Sequence, residues 1–228
     1  MAGMTCDICQ GKVVASAKKE NWFVCEYCGT EYPLEWMKAK FQKTQTVRLE
    51  RIAQLKNQPL WLGGLEWCCL AVEADRALYI TKNIVEERAY HKPFEYITWE
   101  DCTLRQYLNG EFLRRFSLQE QATIMATTLP NDNSTLYNQI NGGNTTRDKI
   151  FLLSLAEARK YFSSNGDRVA KYKSNSSWWW LRSPGGRQVH AADVGTDGSV
   201  HDLGHTVIAD DNGVRPALWL KLESVIAI

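Results

Sequence analysis

Two Cys-x-x-Cys pairs, Cys6 with Cys9 and Cys25 with Cys28, open this 228-residue chain and are separated by fifteen residues. Two residues between thiolates form a tight turn that brings both sulfurs to one side of a metal ion, and two such turns complete a tetrahedral Zn²⁺ site. Four protein ligands leave no position for water or substrate, so the expected ion is structural. About thirty residues bury too little apolar surface to fold unaided. The spacing therefore predicts a β zinc ribbon over residues 1–32 that folds around Zn²⁺.

Disulfides or a redox-active pair are the alternatives for these cysteines. The residues from Met1 to Thr5 contain neither the basic region nor the apolar region of a secretion signal, so we expect a cytoplasmic chain with reduced thiols. No apolar run approaches the roughly twenty residues that span a bilayer, so no membrane role is expected. The formal net charge is only +1, which lacks the basic field of a non-specific nucleic-acid binder. Nucleic acid is therefore not the expected partner.

The rest of the chain predicts a helix followed by a larger domain. Residues 33–58 place a proline near a helix start and continue with apolar residues at helical spacing, which predicts a linker helix. Further along, short apolar runs flank residues 73–76, as in a hairpin. Capping boxes that begin at Ser117 and Ser154 predict two helices. The mixture predicts an α+β domain over residues 59–228.

Two dense blocks dominate the C-terminal third. Residues 178–185 read WWWLRSPG, and residues 213–220 read GVRPALWL. In a strand, Trp179 points to the opposite face from Trp178 and Trp180, so at least one face must lie in the core. The alternatives are that all three tryptophans are packing residues or that one face is a stacking platform for a ligand.

Each block also contains one arginine, Arg182 in the first and Arg215 in the second. A guanidinium in such surroundings can stack on tryptophan while it donates to a carboxylate or to backbone carbonyls. We therefore expect both arginines to tie the two blocks together, with ligand binding as the alternative role.

The segment between the blocks, residues 185–212, is polar and is interrupted by glycines. Its alternation of polar and apolar residues is poor, so we expect irregular backbone there and regular strands only at the two flanking blocks. Loops of this kind can carry binding residues without disturbing the core.

These blocks, with Ala191 to Val194 and Asp197 to Val200 between them, resemble a bacterial family of uncharacterised domains that often follow a zinc ribbon. That family is similar to the C-type-lectin fold, especially to formylglycine-generating enzymes and the variable proteins of diversity-generating retroelements. The resemblance implies a C-type-lectin-like domain, with small antiparallel sheets and two flanking helices, whose C-terminal loops carry a ligand surface that a retroelement diversifies. Carried over by position, the implied ligand-binding residues are Arg187, Gln188, His190, Asp193, His201, Asp202, His205, Asp210, Asp211 and Asn212.

Enzymatic activity is not expected. Formylglycine-type oxidation needs reactive cysteines near the C-terminal surface, but the remaining cysteines are Cys68, Cys69 and Cys102, whose sequence settings favour burial. The histidines and acidic residues of the C-terminal segment fit no motif with a mechanism, and we interpret them as polar loop residues. These are His190, Asp193, Asp197, His201, Asp202 and His205. Asp210 and its neighbours offer oxygen ligands suited to Ca²⁺, but a turn is the expected role.

The sequence therefore predicts a non-enzymatic recognition protein that binds an unknown protein or other macromolecule through its C-terminal loops. The alternative is a zinc-ribbon adaptor or scaffold that binds nucleic acid or a macromolecular complex. That role would depend on the helix lysines Lys38, Lys40 and Lys43.

Overall fold

The computed structural model describes residues 4–226, and the chain divides into two compact units, Met1–Gln54 and Leu55–Ile228. Both units combine helices with small sheets whose strands are mostly antiparallel, which confirms the predicted α+β class. None of the helices within residues 4–226 has both the length and the apolar character that crossing a bilayer requires.

The first unit is a small sheet followed by a long helix. Its elements are β1 (Val13–Ala15), β2 (Trp22–Cys25), β3 (Glu31–Pro33) and α1 (Leu34–Asn57), whose last three residues belong to the second unit. The three strands form one antiparallel sheet in the order β1-β2-β3. Val13, Tyr32 and Met37 form a small core beside the cysteines, whereas every side chain over residues 41–51 of α1 is exposed.

The second unit contains most of the strands. They are β4 (Leu60–Leu62), β5 (Leu65–Val72), β6 (Arg76–Thr81), β7 (Glu86–Glu87), β8 (Ile124–Met125), β9 (Thr127–Leu129), β10 (Thr146–Asp148), β11 (Ile150–Phe151), β12 (Ala170–Tyr172), β13 (Asn175–Ser177), β14 (Trp179–Pro184), β15 (His190–Val194), β16 (Val200–Thr206), β17 (Gly213–Val214) and β18 (Ala217–Lys221). The larger sheet has the order β11-β18-β6-β5-β4, with β8 also paired to β18, and the other main sheet has the order β16-β15-β14-β17-β7. The hairpin predicted across residues 73–76 is confirmed by the antiparallel pairing of β5 with β6.

The helices of the second unit are short. They are α2 (Thr103–Tyr107), α3 (Leu118–Thr123), α4 (Leu155–Tyr161), α5 (Asn165–Arg168) and α6 (Leu222–Ile226), with a π-helical turn at Leu108–Phe112 and a 3₁₀ turn at Leu113–Arg115. Both predicted capping boxes are confirmed, because Ser117 starts α3 and Ser154 starts α4 with reciprocal hydrogen bonds to Glu120 and Glu157. Instead of the two flanking helices that the resemblance implies, the described residues of this unit contain five helices of at most seven residues.

The tryptophan block separates into two roles. Trp179 and Trp180 are fully buried, so both faces of β14 are core at this point. The ring N–H of Trp179 donates to the carbonyl oxygen of Arg168 at 3.1 Å, and that of Trp180 donates to the carbonyl oxygen of Arg88 at 2.9 Å. Trp178 precedes the strand and is only half-buried. Two of the three tryptophans are therefore packing residues, and the third borders the surface.

Both arginines are structural, as predicted, but only Arg215 ties the two blocks together, because Arg182 bonds to residues outside the second block. Arg215 donates to the carbonyl oxygens of Thr81 and Arg168 at 3.0 Å, and its guanidinium lies 5.0 Å from the ring centroid of Trp179. Burial lowers the pKa of Arg215 to about 10. Arg182 forms an ion pair with Glu157 and is also buried. The contact of Arg215 with Trp179 joins the two framework blocks.

The prediction that regular strands lie only at the two flanking blocks is wrong, because β15 and β16 form an antiparallel pair within residues 185–212, although its register shifts at one point. Ala191 lies opposite His205 and Asp193 opposite His201, so β16 carries two extra residues in a bulge. Gly204 in this bulge has a φ of 60°, and a side chain there would meet the carbonyl oxygen of Ala191 at 1.9 Å. The bulge breaks the polar and apolar alternation that indicates a strand.

Candidate functional site

The four cysteines of the first unit form a compact cluster. Sγ of Cys6 lies 3.5 Å from Sγ of Cys28, Sγ of Cys9 lies 3.5 Å from Sγ of Cys25, and all four sulfurs are within 4.8 Å of one another. None of them forms a disulfide. A tetrahedral ion with metal–sulfur bonds of about 2.3 Å separates its sulfurs by about 3.8 Å, so the cluster can hold a metal ion. Within residues 4–226, no other group of three or more Cys, His, Asp or Glu residues meets this test.

Two similar turns place these sulfurs. In the first, the N–H of Gln10 donates to the carbonyl oxygen of Cys6, and in the second the N–H of Gly29 donates to that of Cys25, each at 3.0 Å. Gln10 has a φ of 61° and Gly29 a φ of 73°, so the residue after the last cysteine of each pair is left-handed. A side chain at Gly11 would come within 3.1 Å of Sγ of Cys25, so glycine there leaves room for the cluster.

Hydrogen bonds favour a thiolate at Cys6. The Oη of Tyr32 lies 3.0 Å from Sγ of Cys6, and the backbone N–H of Ile8 donates to this sulfur at 3.4 Å. Burial opposes ionisation, but the hydrogen bonds outweigh it and lower the pKa of Cys6 to about 6. Tyr32 is itself stacked on Trp36 with ring centroids 4.1 Å apart, which fixes the hydroxyl at the cluster. Metal binding requires deprotonated cysteine, which the arrangement favours at Cys6, whereas hydrogen bonds with the other thiols and burial raise the pKa of Cys9 to about 12.

The ten residues predicted as a ligand surface differ in exposure. Arg187, Asp210 and Asp211 are exposed. Gln188, His190, His201, Asp202 and His205 are half-buried. Asp193 and Asn212 are buried, so the prediction that they lie on the surface is wrong. Asp193 sits in the middle of the sheet, where β15 is covered on both edges, and Asn212 directly precedes the buried strand β17.

Asp193 joins the two histidines of the neighbouring strand. Its Oδ1 lies 2.9 Å from Nδ1 of His201, and its Oδ2 lies 2.6 Å from Nδ1 of His205. A carboxylate accepts hydrogen bonds, so each imidazole carries its proton on Nδ1 and turns Nε2 away from Asp193. The interpretation of Asp193, His201 and His205 as polar loop residues is wrong, because all three lie on strands β15 and β16 and are hydrogen-bonded to one another.

Trp178 completes this cluster, which we call the His–Trp cluster and define as Trp178, Asp193, His201 and His205. The ring centroid of Trp178 lies 5.1 Å from that of His201 and 4.8 Å from that of His205, the latter in an edge-on arrangement. The two histidine side chains retain 34% and 44% exposure. The cluster therefore presents three aromatic rings to solvent over a buried negative charge.

Ser199 extends the cluster in the order of a hydrolase triad. Oγ of Ser199 lies 2.8 Å from Nε2 of His201, whose Nδ1 contacts Asp193. However, Oγ of Ser199 also lies 2.5 Å from Oδ1 of Asp197, which competes for the hydroxyl proton. The N–H groups of Gly198 and Ser199 are both bonded within the turn, so they offer no oxyanion donor. The arrangement acts as a hydrogen-bonded brace for the turn between β15 and β16.

Two other predicted residues fasten the segment to its surroundings. The amide of Gln188 donates to the carbonyl oxygens of Ile97 and Asn141 at 3.1 and 2.9 Å and accepts from the N–H of Asn141 at 2.9 Å. Asp202 accepts from the hydroxyl of Thr135 at 2.7 Å and forms an ion pair with Arg159 of α4. Both side chains are therefore committed to internal contacts.

The cysteines outside the cluster were expected to be buried. Cys102 is buried, but Cys68 and Cys69 on β5 are only half-buried.

Comparison with known proteins identifies a family but no characterised relative. Residues 74–222 match the model of a family described as a domain of unknown function, DUF6273. Neither the curated proteins nor the solved structures include a match. The matched region begins just before β6 and ends just after β18. Its first and last strands are therefore hydrogen-bonded to each other.

Proposed function

The chain belongs to the DUF6273 family, and we propose that its second unit is a non-enzymatic, C-type-lectin-like recognition domain that binds a macromolecular ligand through the C-terminal segment. The observation that carries this proposal is the His–Trp cluster, in which buried Asp193 orients two half-exposed histidines. Side chains that are fixed before binding lose little conformational entropy when a ligand arrives.

The architecture of the second unit supports the lectin-like part of the proposal. The resemblance implies small antiparallel sheets with a C-terminal ligand segment over a rigid scaffold. The paired strands β6 and β18 place Leu78 opposite Trp219 and enclose the family region, while buried β14 pairs with β15 along its edge in the other main sheet. The segment from β15 to β17 is thus carried by a tightly packed base.

The proposed recognition surface consists of the exposed residues Arg187, Leu203 and Asp211 together with the half-buried rings of Trp178, His201 and His205. Leu203 is 60% exposed at the bulge of β16. Aromatic rings and arginine are the residue types that most often dominate binding energy at protein interfaces. An aromatic, mixed-charge surface of this kind suits a protein ligand.

Retroelement diversification is part of the same proposal. Framework residues 178–185 and 213–220 are mostly buried, whereas the exposed positions between them tolerate substitution without a change in the core. Buried Asp193 and Asn212 belong with the framework. The test is the DNA beside the gene: a near-repeat of the coding region for residues 178–220 next to a reverse-transcriptase gene supports diversification, and the absence of both from this and sibling genomes contradicts it.

For the first unit we propose a structural Zn²⁺ ion held by Cys6, Cys9, Cys25 and Cys28. Four thiolates in tetrahedral reach are the donor set that zinc prefers in closed structural sites. The ion would replace the large apolar core that this unit lacks, since its core consists of a few residues around the cysteines.

The adaptor alternative depends on free basic groups in α1. Lys40 donates to the carbonyl oxygen of Thr5 at 2.9 Å and forms an ion pair with Asp7, and Lys38 forms an ion pair with Glu35 at 3.0 Å. Phosphate contacts would have to replace these bonds, which favours the recognition surface over the helix as the binding site.

Affinity capture from the source cell tests the proposal. One triple variant combines Arg187→Ala, Leu203→Ser and Asp211→Ala. These three side chains are exposed and make no hydrogen bond or ion pair within the described residues. We expect the triple variant to lose a partner that wild type retains, while Lys43→Ala, a change in α1, leaves capture unchanged. Capture that survives the triple change and is lost with Lys43→Ala would establish the adaptor function instead.

A further inference from the structure

A second concave site lies in the second unit, apart from the His–Trp cluster. It is a cleft of about 930 Å³ between the segment that follows β7, helix α2 with the π-helical turn, and the segment that follows β16. Small-molecule sites in proteins commonly have volumes of about 300–1,000 Å³. The cleft is therefore large enough to enclose a metabolite of moderate size.

The wall of the cleft contains an unusual cation. The guanidinium of Arg88 lies 3.7 Å from the ring centroid of Tyr107. Its Nη2 contacts Glu86 only at 3.4 Å, and its buried Nε has no hydrogen-bond partner within residues 4–226. The Arg88 side chain is 32% exposed, so its terminal nitrogens can donate to an acceptor that a ligand brings, whereas the buried Nε is out of a ligand's reach.

Charges of both signs surround the same cleft. Lys92 and Arg114 supply positive charge, and Glu87, Glu111 and Asp210 supply negative charge. Within the described residues, none of these five side chains forms an ion pair or a side-chain hydrogen bond, and all five are exposed. Gly110 of the π-helical turn also lines the cleft, and a side chain there would meet nothing within 4 Å, so the entrance is open.

We propose that this cleft binds a small zwitterion of the free amino-acid class. The ligand's carboxylate would accept hydrogen bonds from Arg88, and its ammonium group would lie among Glu87, Glu111 and Asp210. Its side chain would pack on the apolar surface of Ala89 and Ile208, which also line the cleft. This site is independent of the macromolecular recognition proposed above.

The two charges of the ligand provide the first test. Thermal unfolding of the full chain is measured with each proteinogenic L-amino acid at millimolar concentration, and then with the N-acetyl and amide forms of any that bind. We expect at least one amino acid to raise Tm, and both single-charge analogues to lose the effect. If no amino acid raises Tm, or if the analogues act as well as the zwitterion, the proposal is overturned.

Matched variants assign the effect to the cleft. Arg88→Gln, Arg114→Gln and Asp210→Asn should each raise Kd, by about tenfold or more where a charged hydrogen bond is lost. Arg147→Gln and Asp101→Asn change exposed residues outside the cleft and should leave Kd unchanged. Binding that is equal in the cleft variants and wild type contradicts the proposal. If Arg88→Gln does not fold, the exposed positions Arg114 and Asp210 decide the question.

Discussion

Asp193 and His205 lie on neighbouring strands, with Oδ2 of the fully buried carboxylate 2.6 Å from Nδ1 of the half-exposed imidazole. The second oxygen makes the same contact with His201. A buried charge needs such partners, because an unpaired one is very costly. The contact therefore links the stability of the sheet to the orientation of rings on its surface.

The first prediction concerns that link. Asp193→Asn retains one acceptor oxygen but replaces the other with a donor, so one histidine must change its tautomer or lose its bond. We expect the free energy of unfolding to fall by about 1–3 kcal/mol. Long-range ¹H–¹⁵N spectra of the imidazoles should show the proton on Nδ1 of neutral His205 in the wild type.

The matched control is Asp211→Asn, an exposed change that should alter neither stability nor tautomer. Spectra in which His201 and His205 both keep their proton on Nδ1 in Asp193→Asn, together with an unchanged free energy of unfolding, would show that the carboxylate does not orient them.

The second prediction concerns the cysteine cluster. We expect one Zn²⁺ per chain by elemental analysis, and chelation should unfold the ribbon while the second unit stays folded, because that unit has its own core. Limited proteolysis after chelation should cut within the ribbon first. The variant Cys68→Ser, outside the cluster, should keep the metal, whereas Cys25→Ser should lose it. A metal-free chain with a protease-resistant ribbon would refute the prediction.

The third prediction concerns the framework. Trp179→Ala removes a fully buried side chain and the contact with Arg215, and should lower the free energy of unfolding by about 3–5 kcal/mol. Urea denaturation measures the loss. Arg187→Ala, at an exposed position, should change it by no more than about 0.5 kcal/mol. Equal losses in the two variants would mean that the division into framework and surface is incorrect.

The fourth prediction concerns pH. Hydrogen bonds from the backbone N–H groups of Gly63 and Ser117 lower the pKa of Glu120 below its usual value of 4.5. A carboxyl whose pKa is lower in the folded state stabilises the fold above its unfolded-state pKa, and the contribution is lost as pH falls through the folded-state value. Glu120→Gln should therefore cost at most about 1 kcal/mol near neutral pH, because the group is partly solvated, and nothing in strong acid.

Urea denaturation of wild type and Glu120→Gln, near neutral pH and in strong acid, measures the cost of the substitution at each pH. Glu223→Gln, an exposed change in α6, is the control and should show no such dependence. A cost of Glu120→Gln that is the same at both pH values would contradict the assignment.

The features that the sequence predicted correctly are those that depend on residues close together in the chain. The cysteine turns, the hairpin of β5 and β6 and the capping boxes at Ser117 and Ser154 each depend on residues within a few positions of one another. Helix α2 begins after Cys102, which is not a preferred capping residue, so no capping pattern in the sequence marks its start.

The His–Trp cluster was missed for a different reason. Asp193 faces His201 and His205 only because of the strand register and the bulge at Gly204, and neither is encoded by spacing along the chain. The cleft draws its walls from three segments that lie far apart in sequence, around Arg88, Tyr107 and Asp210. Features of this kind depend on tertiary pairing, which periodicity does not reveal.

The most direct test of the recognition surface is site-specific photo-crosslinking in the source cell. A photoreactive residue replaces Leu203, which is 60% exposed at the bulge, or Leu118, which is 81% exposed on α3 as a control. We predict a discrete crosslinked adduct from position 203 and none from position 118. Adducts from position 118 alone, or none from position 203, would contradict the claim that the C-terminal segment is the ligand-binding surface.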